Sequence, residues 1–204
     1  MARVLVLAAH PTLGHSRVTR RLMRAAAQAT PAGGIEVRDL YALYPDYLVD
    51  VAAEQALLAE AGLVVWLHPV HWYSMPPLLK LWVDEVLAFG WAYGPGGTAL
   101  RGKDLWLVAS TGGPADSYSA AGYNRRPFEA FLPPYEQTAA LTGMRWLPPR
   151  VLHGAHRLDD AALEAAATDL TARLNRWPDW PGLATLGAAP TAEVPADARP
   201  DADD

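Results

Sequence analysis

The chain contains no cysteine. Disulfides, thiolate-held metal and thiol catalysis are therefore excluded, and a reducing compartment is open to it. It has no apolar run of membrane-spanning length, although 51% of its 204 residues are hydrophobic. It also lacks a basic face. The formal net charge is −5, but residues 187–204 hold five acids and one base, which leaves 17 acids against 16 bases elsewhere. A body so close to neutral argues against nucleic-acid binding, which needs basic groups to neutralise phosphates.

The opening MARVLVLAAHP has the Arg and short apolar stretch of a secretory signal. The stretch is brief, no small-residue cleavage pattern follows, and it runs straight into His10-Pro11, so a buried first strand is the better reading. Residues 187–204 are rich in Ala, Pro and Asp. They have nothing to bury and are expected to be disordered, and no function is assigned to them. The length fits one domain, expected over 1–180.

Within that domain, strand and helix patterns alternate. Residues 3–9 form a continuous apolar run, as in a parallel strand covered on both faces. A helix is expected over 17–29 with Ser16 as its cap, then a strand at 35–39 after Pro31 and Gly33-Gly34. A loop around Tyr44-Pro45-Asp46 leads to a helix at 51–61 and a buried strand at 62–67. Prolines at 76 and 77 suit the first turn of a helix with a broad apolar stripe (Leu78, Leu79, Leu81, Trp82, Val83, Val86). A fourth strand is expected at 104–110, a helix at 128–142, a fifth strand within 144–152 and a closing helix at 161–176. This order specifies an α/β fold: an open, five-stranded parallel sheet, flavodoxin-like in its order 2-1-3-4-5, with helices on both faces.

Ligands in such sheets sit beyond the carboxyl ends of the strands, where the strand order switches. The segments after strands one, three and four should meet there. The first, residues 10–19, offers His10, the hydroxyls of Ser16 and Thr19, the guanidinium of Arg17, and the N–H groups of a helix start. Such a helix start can hold a phosphate, or can be an ordinary turn capped by Ser16. It matches neither G-x-x-x-x-G-K-[ST] nor G-x-G-x-x-G, which disfavours ATP and a Rossmann dinucleotide turn. The second, residues 68–77, is bulky and aromatic around Trp72 and Tyr73. It suits the wall of a planar ring, or a core cap or subunit contact. His68 and His71, with His153 and His156, raise a metal reading, but no H-E-x-x-H context or suitably placed carboxylate supports it, and no metal is expected. The third, Ser110-Thr111-Gly112-Gly113-Pro114, lets backbone donors approach a ligand closely, or is a flexible turn.

Taken together, His10-Pro11, Ser16-x-x-Thr19, HPVHWYSMPPLLKLWVDEV (68–86), GWAYGPGGTALRGK (90–103) and STGG (110–113) resemble the NAD(P)H:quinone oxidoreductases of flavodoxin fold. The likeness is greatest to the Kef-type ancillary quinone reductases, which also bind and activate glutathione-regulated potassium-efflux antiporters. LYALYPD (40–46), AAEQALL (52–58) and WLPP (146–149) extend it over 1–177. The resemblance implies FMN in preference to FAD, with NAD(P)H as co-substrate and a quinone as acceptor. His10, Ser16, Arg17, Val18 and Thr19 would take the phosphate and ribityl chain. Val70, His71, Trp72 and Tyr73 would flank the ring, and Ser110, Thr111, Gly112 and Gly113 would meet its pyrimidine edge. It further implies a homodimer in the cytoplasm, or at the inner face of the cell membrane where an antiporter partner would hold it.

There is one departure. Many related reductases place a Tyr and then a His after the Gly-Gly pair to assist hydride transfer. Here Tyr118 stands at the first position and Asn124 at the second. Tyr118 is the candidate donor near the substrate, with a surface tyrosine as the alternative, and what the His would supply is absent or comes from elsewhere. The expected mechanism is ping-pong, with hydride passing from NAD(P)H to the flavin and two electrons then passing to the quinone. A regulatory antiporter subunit, a flavodoxin-like electron carrier, and a reductase of azo dyes, nitroaromatics or free flavin are the rivals. The near-neutral body and the missing T-x-T-G-x-T loop argue against the carrier. Nothing in the sequence selects NADH over NADPH.

Overall fold

The computed structural model describes residues 3–186. The expected tail at 187–204 lies outside the described residues. β1 (Arg3–Ala8), β2 (Ile35–Asp39), β3 (Ala61–Pro69), β4 (Asp104–Ser110) and β5 (Arg145–Trp146) pair in parallel in the order β2-β1-β3-β4-β5, the flavodoxin-like order expected. A sixth strand, β6 (Arg150–Leu152), also pairs with β4. It is the second half of the fifth strand expected within 144–152. Pro148 and Pro149 have no N–H to give to the ladder, so the strand breaks between Trp146 and Arg150.

Side chains alternate across the buried strands and make two cores. Val4, Val6, Ala8, Leu63, Val65 and Val108 face one layer of helices, α1 (Val18–Ala27) and α6 (Asp160–Arg176). Leu5, Leu7, Val64, Trp66, Leu105 and Leu107 face the other. That layer holds α3 (Val51–Glu60), α4 (Pro77–Val86) and α5 (Pro133–Thr142). Helices thus cover both faces of the sheet.

Two further elements differ from expectation. The helix expected over 128–142 is a 3-10 turn, Phe128–Phe131, followed by α5. Pro133 and Pro134 can start a helix but cannot donate back across Leu132. A short helix, α2 (Leu40–Leu43), stands where no helix was expected. The Asp39 side chain caps it by accepting from the Ala42 N–H at 3.3 Å.

The polar groups inside the cores are mostly paired. Glu54 is fully buried, and its carboxylate accepts from Arg38 at 2.6 and 3.0 Å, from the Tyr44 hydroxyl at 2.5 Å and from Trp82 Nε1 at 3.0 Å. It ties β2, α3 and α4 into one body. Asp104, at the start of β4, accepts from Arg145 at 2.7 and 2.9 Å and from Trp177 Nε1 at 2.8 Å. Among the described residues, Trp66 Nε1 finds no partner. Burying a Trp removes roughly 200 Å² from water, worth about 5 kcal/mol, against about 1–3 kcal/mol for one unpaired donor. Burial wins.

His68 lies in β3 against the Tyr135 ring, with centroids 5.8 Å apart and planes 13° from parallel. Its Nδ1 donates to the Pro69 carbonyl at 3.0 Å. Burial pushes its pKa down to about 4. The unfolded chain therefore takes up a proton near pH 6.5 that the folded state refuses. Stability from this residue is complete above that pH and is lost as pH falls toward 4, by roughly 2 kcal/mol between pH 7 and 5. Urea unfolding of His68→Gln at the two pH values should show a correspondingly flatter dependence than the parent; identical slopes would remove His68 as an acid-sensitive element.

Candidate functional site

The parallel register brings the ends of three strands together, with Ala8 beside Leu67 and Pro69 beside Ser110. The segments leaving them surround a cleft of about 470 Å³. Of the residues singled out in the sequence, His10, Ser16, Arg17, Val18, Val70, His71, Ser110, Thr111 and Gly112 line it. Thr19, Trp72, Tyr73, Gly113 and Tyr118 do not.

At one end of the cleft the chain turns into α1. Ser16 acts as the expected cap, its Oγ accepting from the Thr19 N–H at 3.0 Å, which places Thr19 beneath the rim. Among the described residues, the N–H groups of Arg17 and Val18 have no acceptor. The Arg17 guanidinium is engaged outside the cleft, donating to the Leu158 carbonyl at 2.9 Å and to Asp160 at 2.7 Å. An anion here would meet the helix start and imidazoles rather than a free cation. His10 accepts from the Thr12 N–H at Nδ1, 3.1 Å, and its ring stands 6.3 Å from that of His71. Burial and the neighbouring His71 lower its pKa, with Asp39 opposing.

At the other end lies the Gly-Gly turn. Among the described residues, the N–H groups of Gly112 and Gly113 also have no acceptor. A Cβ at Gly113 would crowd the Tyr123 hydroxyl and stand 2.7 Å from Ser117 Oγ, so those side chains would have to shift to admit one. Arg17, Val18 and Gly112 thus bring backbone N–H groups without an acceptor to the lining of one cleft, with Gly113 next in the chain.

Tyr118 sits behind the turn, its ring against His153 at 5.1 Å and Phe128 at 5.3 Å. Burial raises its pKa, opposed by a hydrogen bond with Thr111. Asn124 serves as a tie. It accepts from the Tyr73 hydroxyl at 3.3 Å and donates to Ser117 Oγ at 3.2 Å. Thr12, His15 and Pro69, which fall within the segments expected to meet here but were not named as site residues, also line the cleft, as do Ala155 and His156 from the segment after β6, which the sequence pattern did not place here. The available signal for the latter is the spacing of His153 and His156 after a strand. Among the described residues, no group of three or more His, Cys, Asp or Glu could hold a metal.

With this geometry in view, comparison with known proteins is direct. A family model described as Flavodoxin_2, flavodoxin-like fold, matches residues 2–174. The chain belongs to this flavodoxin-like family. It is 47% identical over 174 residues to the glutathione-regulated potassium-efflux system ancillary protein KefF of Citrobacter koseri, covering 85% of this chain and 96% of the relative. Among solved structures, a chain described as a thermophilic tryptophan halogenase from S. violaceusniger is 40% identical, with a TM-score of 0.79 over 86% of this chain and 99% of its own. The general stress protein 14 of Treponema denticola, solved in complex with FMN, is 38% identical, with a TM-score of 0.76 over 85% of this chain and 98% of its own. An NADPH-quinone reductase of P. pentosaceus is 26% identical, with a TM-score of 0.71 over 87% of this chain and 97% of its own.

In this flavodoxin-like chain the rim after β3 is strained. His71 and Ser74 exchange backbone bonds of 2.9 and 3.0 Å, so Trp72 and Tyr73 are the two central residues of a tight hairpin turn. Both have positive φ, 46° and 65°, the pattern that favours Asn-Gly. Each such residue costs of order 1–3 kcal/mol. Tyr73 is held by stacking on Phe131 at 4.8 Å, while the Trp72 side chain is 92% exposed. Trp72→Asn relieves strain and forfeits no packing, so chemical denaturation should show a gain of about 1 kcal/mol; an unchanged or lower stability would mean that the turn stores no strain.

Proposed function

We propose that this chain is an FMN-dependent NAD(P)H:quinone oxidoreductase working by two-electron, ping-pong hydride transfer. The observation that carries the reading is that one cleft is lined by residues whose N–H groups have no acceptor among the described residues, Arg17 and Val18 at the start of α1 and Gly112 at the glycine turn after β4. FMN has a phosphate at one end and, when reduced, an anionic pyrimidine edge at the other. The FMN complex of the Treponema denticola neighbour and the quinone reductase from P. pentosaceus support the choice of cofactor and chemistry. The halogenase description of another neighbour is not carried over, because nothing in this cleft favours halogen transfer.

His10, Ser16, Arg17, Val18 and Thr19 would form the phosphate and ribityl end, and Val70, His71, Trp72 and Tyr73 the wall of the ring. Ser110, Thr111, Gly112 and Gly113 would meet the pyrimidine edge, where the Gly N–H donors oppose developing negative charge. Bound FMN supplies the capacity to take a hydride from NAD(P)H and deliver two electrons to the acceptor. The residues supply orientation, and the exposed aromatic rim of Trp72 and Tyr123 offers a stacking surface for a planar substrate. Tyr118 remains the proposed donor near the acceptor, with its proton held firmly by burial.

The functional unit is proposed to span 1–180 and to act as a cytoplasmic homodimer. Leu43, Tyr47 and Leu48 form an exposed apolar group suited to a partner subunit. No helix among the described residues is long and apolar enough to cross a membrane. The KefF relative favours a second role, as a regulatory subunit held at the inner face of the membrane by a potassium-efflux antiporter.

The test is steady-state NADH and NADPH oxidation by FMN-loaded protein, with and without a benzoquinone or naphthoquinone. Quinone-dependent turnover with parallel double-reciprocal lines is expected. Bound FMN without turnover would overturn the enzyme reading and leave the ancillary one; absence of flavin binding would overturn the cofactor site.

A further inference from the structure

The Gly112-Gly113 turn has no side chains of its own to hold its direction, so something else must. Four backbone contacts lace it to the segment after β6 or fix its base. Thr111 N–H donates to the Leu152 carbonyl at 3.0 Å, Ala155 N–H to the Thr111 carbonyl at 2.8 Å and Gly154 N–H to the Gly113 carbonyl at 2.9 Å. Val70 N–H donates to the Ser110 carbonyl at 2.7 Å, joining the turn to the end of β3. One side-chain path runs through the middle of this lacing. Thr111 Oγ1 donates to the Gly113 carbonyl at 2.7 Å and lies 3.0 Å from His153 Nδ1.

A hydroxyl has one proton. With that proton on the Gly113 carbonyl, the contact with His153 runs the other way, from Nδ1–H to the Thr111 oxygen, an oxygen that also lies in hydrogen-bond reach of Tyr118. This fixes the histidine tautomer and polarises the hydroxyl toward the carbonyl it holds. The ring is itself clamped, edge-on to Phe128 at 5.2 Å and tilted against Tyr118 at 5.1 Å. Glu129 is the charged group that acts on it. Burial lowers the His153 pKa despite Glu129, which favours the neutral ring; the contact with Thr111 then assigns its proton to Nδ1. Further protonation would occur at Nε2 and leave the Nδ1–H donor in place.

We propose that His153 is a positioning residue for the flavin's pyrimidine edge, acting through the Thr111 hydroxyl to fix the Gly113 carbonyl and so aim the free N–H groups of Gly112 and Gly113. This rests on the flavin reading above and deepens it. The Asn124 side chain is taken up by Tyr73 and Ser117. The imidazole in contact with the turn's hydroxyl is that of His153, just after β6.

Nitrogen geometry separates this role from simple packing. An Asn amide nitrogen can stand where Nδ1 stands, whereas Phe keeps the ring and loses the donor. Two readouts are needed: amide hydrogen exchange at Gly154 in the flavin-free protein, and the FMN dissociation constant from fluorescence quenching. His153→Phe and Thr111→Val should each speed Gly154 exchange and weaken FMN binding by about tenfold, the size of one hydrogen bond. The double variant should be no worse than either single one, because both break the same path. His153→Asn should stay within about twofold of the parent in both readouts, well inside the effect of one lost bond.

Parental behaviour of His153→Phe would overturn the proposal, as would additive losses in the double variant or an Asn variant as impaired as the Phe variant. If the parent protein binds no FMN while Gly154 exchange still follows the Nδ1 donor, the positioning role stands and the flavin reading falls. If FMN binds but exchange and affinity ignore His153, the positioning role alone falls.

Discussion

Strands that run parallel release their loops at the same edge, and in this chain everything functional follows from that constraint. β1, β3 and β4 are buried on both faces and locked side by side, so the segments after Ala8, Pro69 and Ser110 emerge together. Apolar side chains on both faces do little to fix register, because a slip of one residue exchanges one greasy face for another. Polar groups tie the outer elements to this frame: Glu54 joins α3 to β2 and α4 through Arg38, Tyr44 and Trp82, and Asp104 joins β4 to β5 and Trp177 through Arg145 and the Trp177 indole. Displacing either pair would leave a buried charge without its partner, at about 3–5 kcal/mol.

Among the described residues, the cleft at that edge has no unpaired cation in its lining. Arg17 is turned to Asp160, and what remains is backbone N–H, a helix start and imidazole. Backbone donors are fixed in direction by the chain, so they need little reorganisation when charge arrives. Rigidity at the glycine turn has to be borrowed. Its carbonyls are held by bonds from the segment after β6, which makes that short strand part of the site rather than an edge ornament.

The strand order and the two-sided cover of helices were legible because each element has its own local signal. β4 matches its expected bounds of 104–110, since a run of seven buried residues sits between clear breaks. The interruptions were written in proline but not weighed: Pro148-Pro149 divide the fifth strand, and Pro133-Pro134 divide a helix from the 3-10 turn before it. α2 was illegible, since four residues have no periodicity to read and the fold holds them through Asp39. The segments of the cleft were visible one by one. Their internal wiring was not, because the bond from His153 to Thr111 joins residues 42 apart in the chain, a distance no local pattern spans. Trp72 and Tyr73 looked like a ring wall by composition, and only the backbone reveals that they occupy a turn that favours Asn and Gly.

Backbone N–H groups at the start of α1 and at the glycine turn are proposed to hold the phosphate and the pyrimidine edge of one flavin nucleotide. Backbone amide NMR shifts, followed as FMN and then riboflavin are added to the flavin-free protein, test it most directly. FMN should move the Arg17, Val18, Gly112 and Gly113 amides together to a common equimolar end point, whereas riboflavin, lacking the phosphate, should move only the glycine pair. Shifts centred elsewhere, or an Arg17–Val18 pair indifferent to the phosphate, would contradict the account.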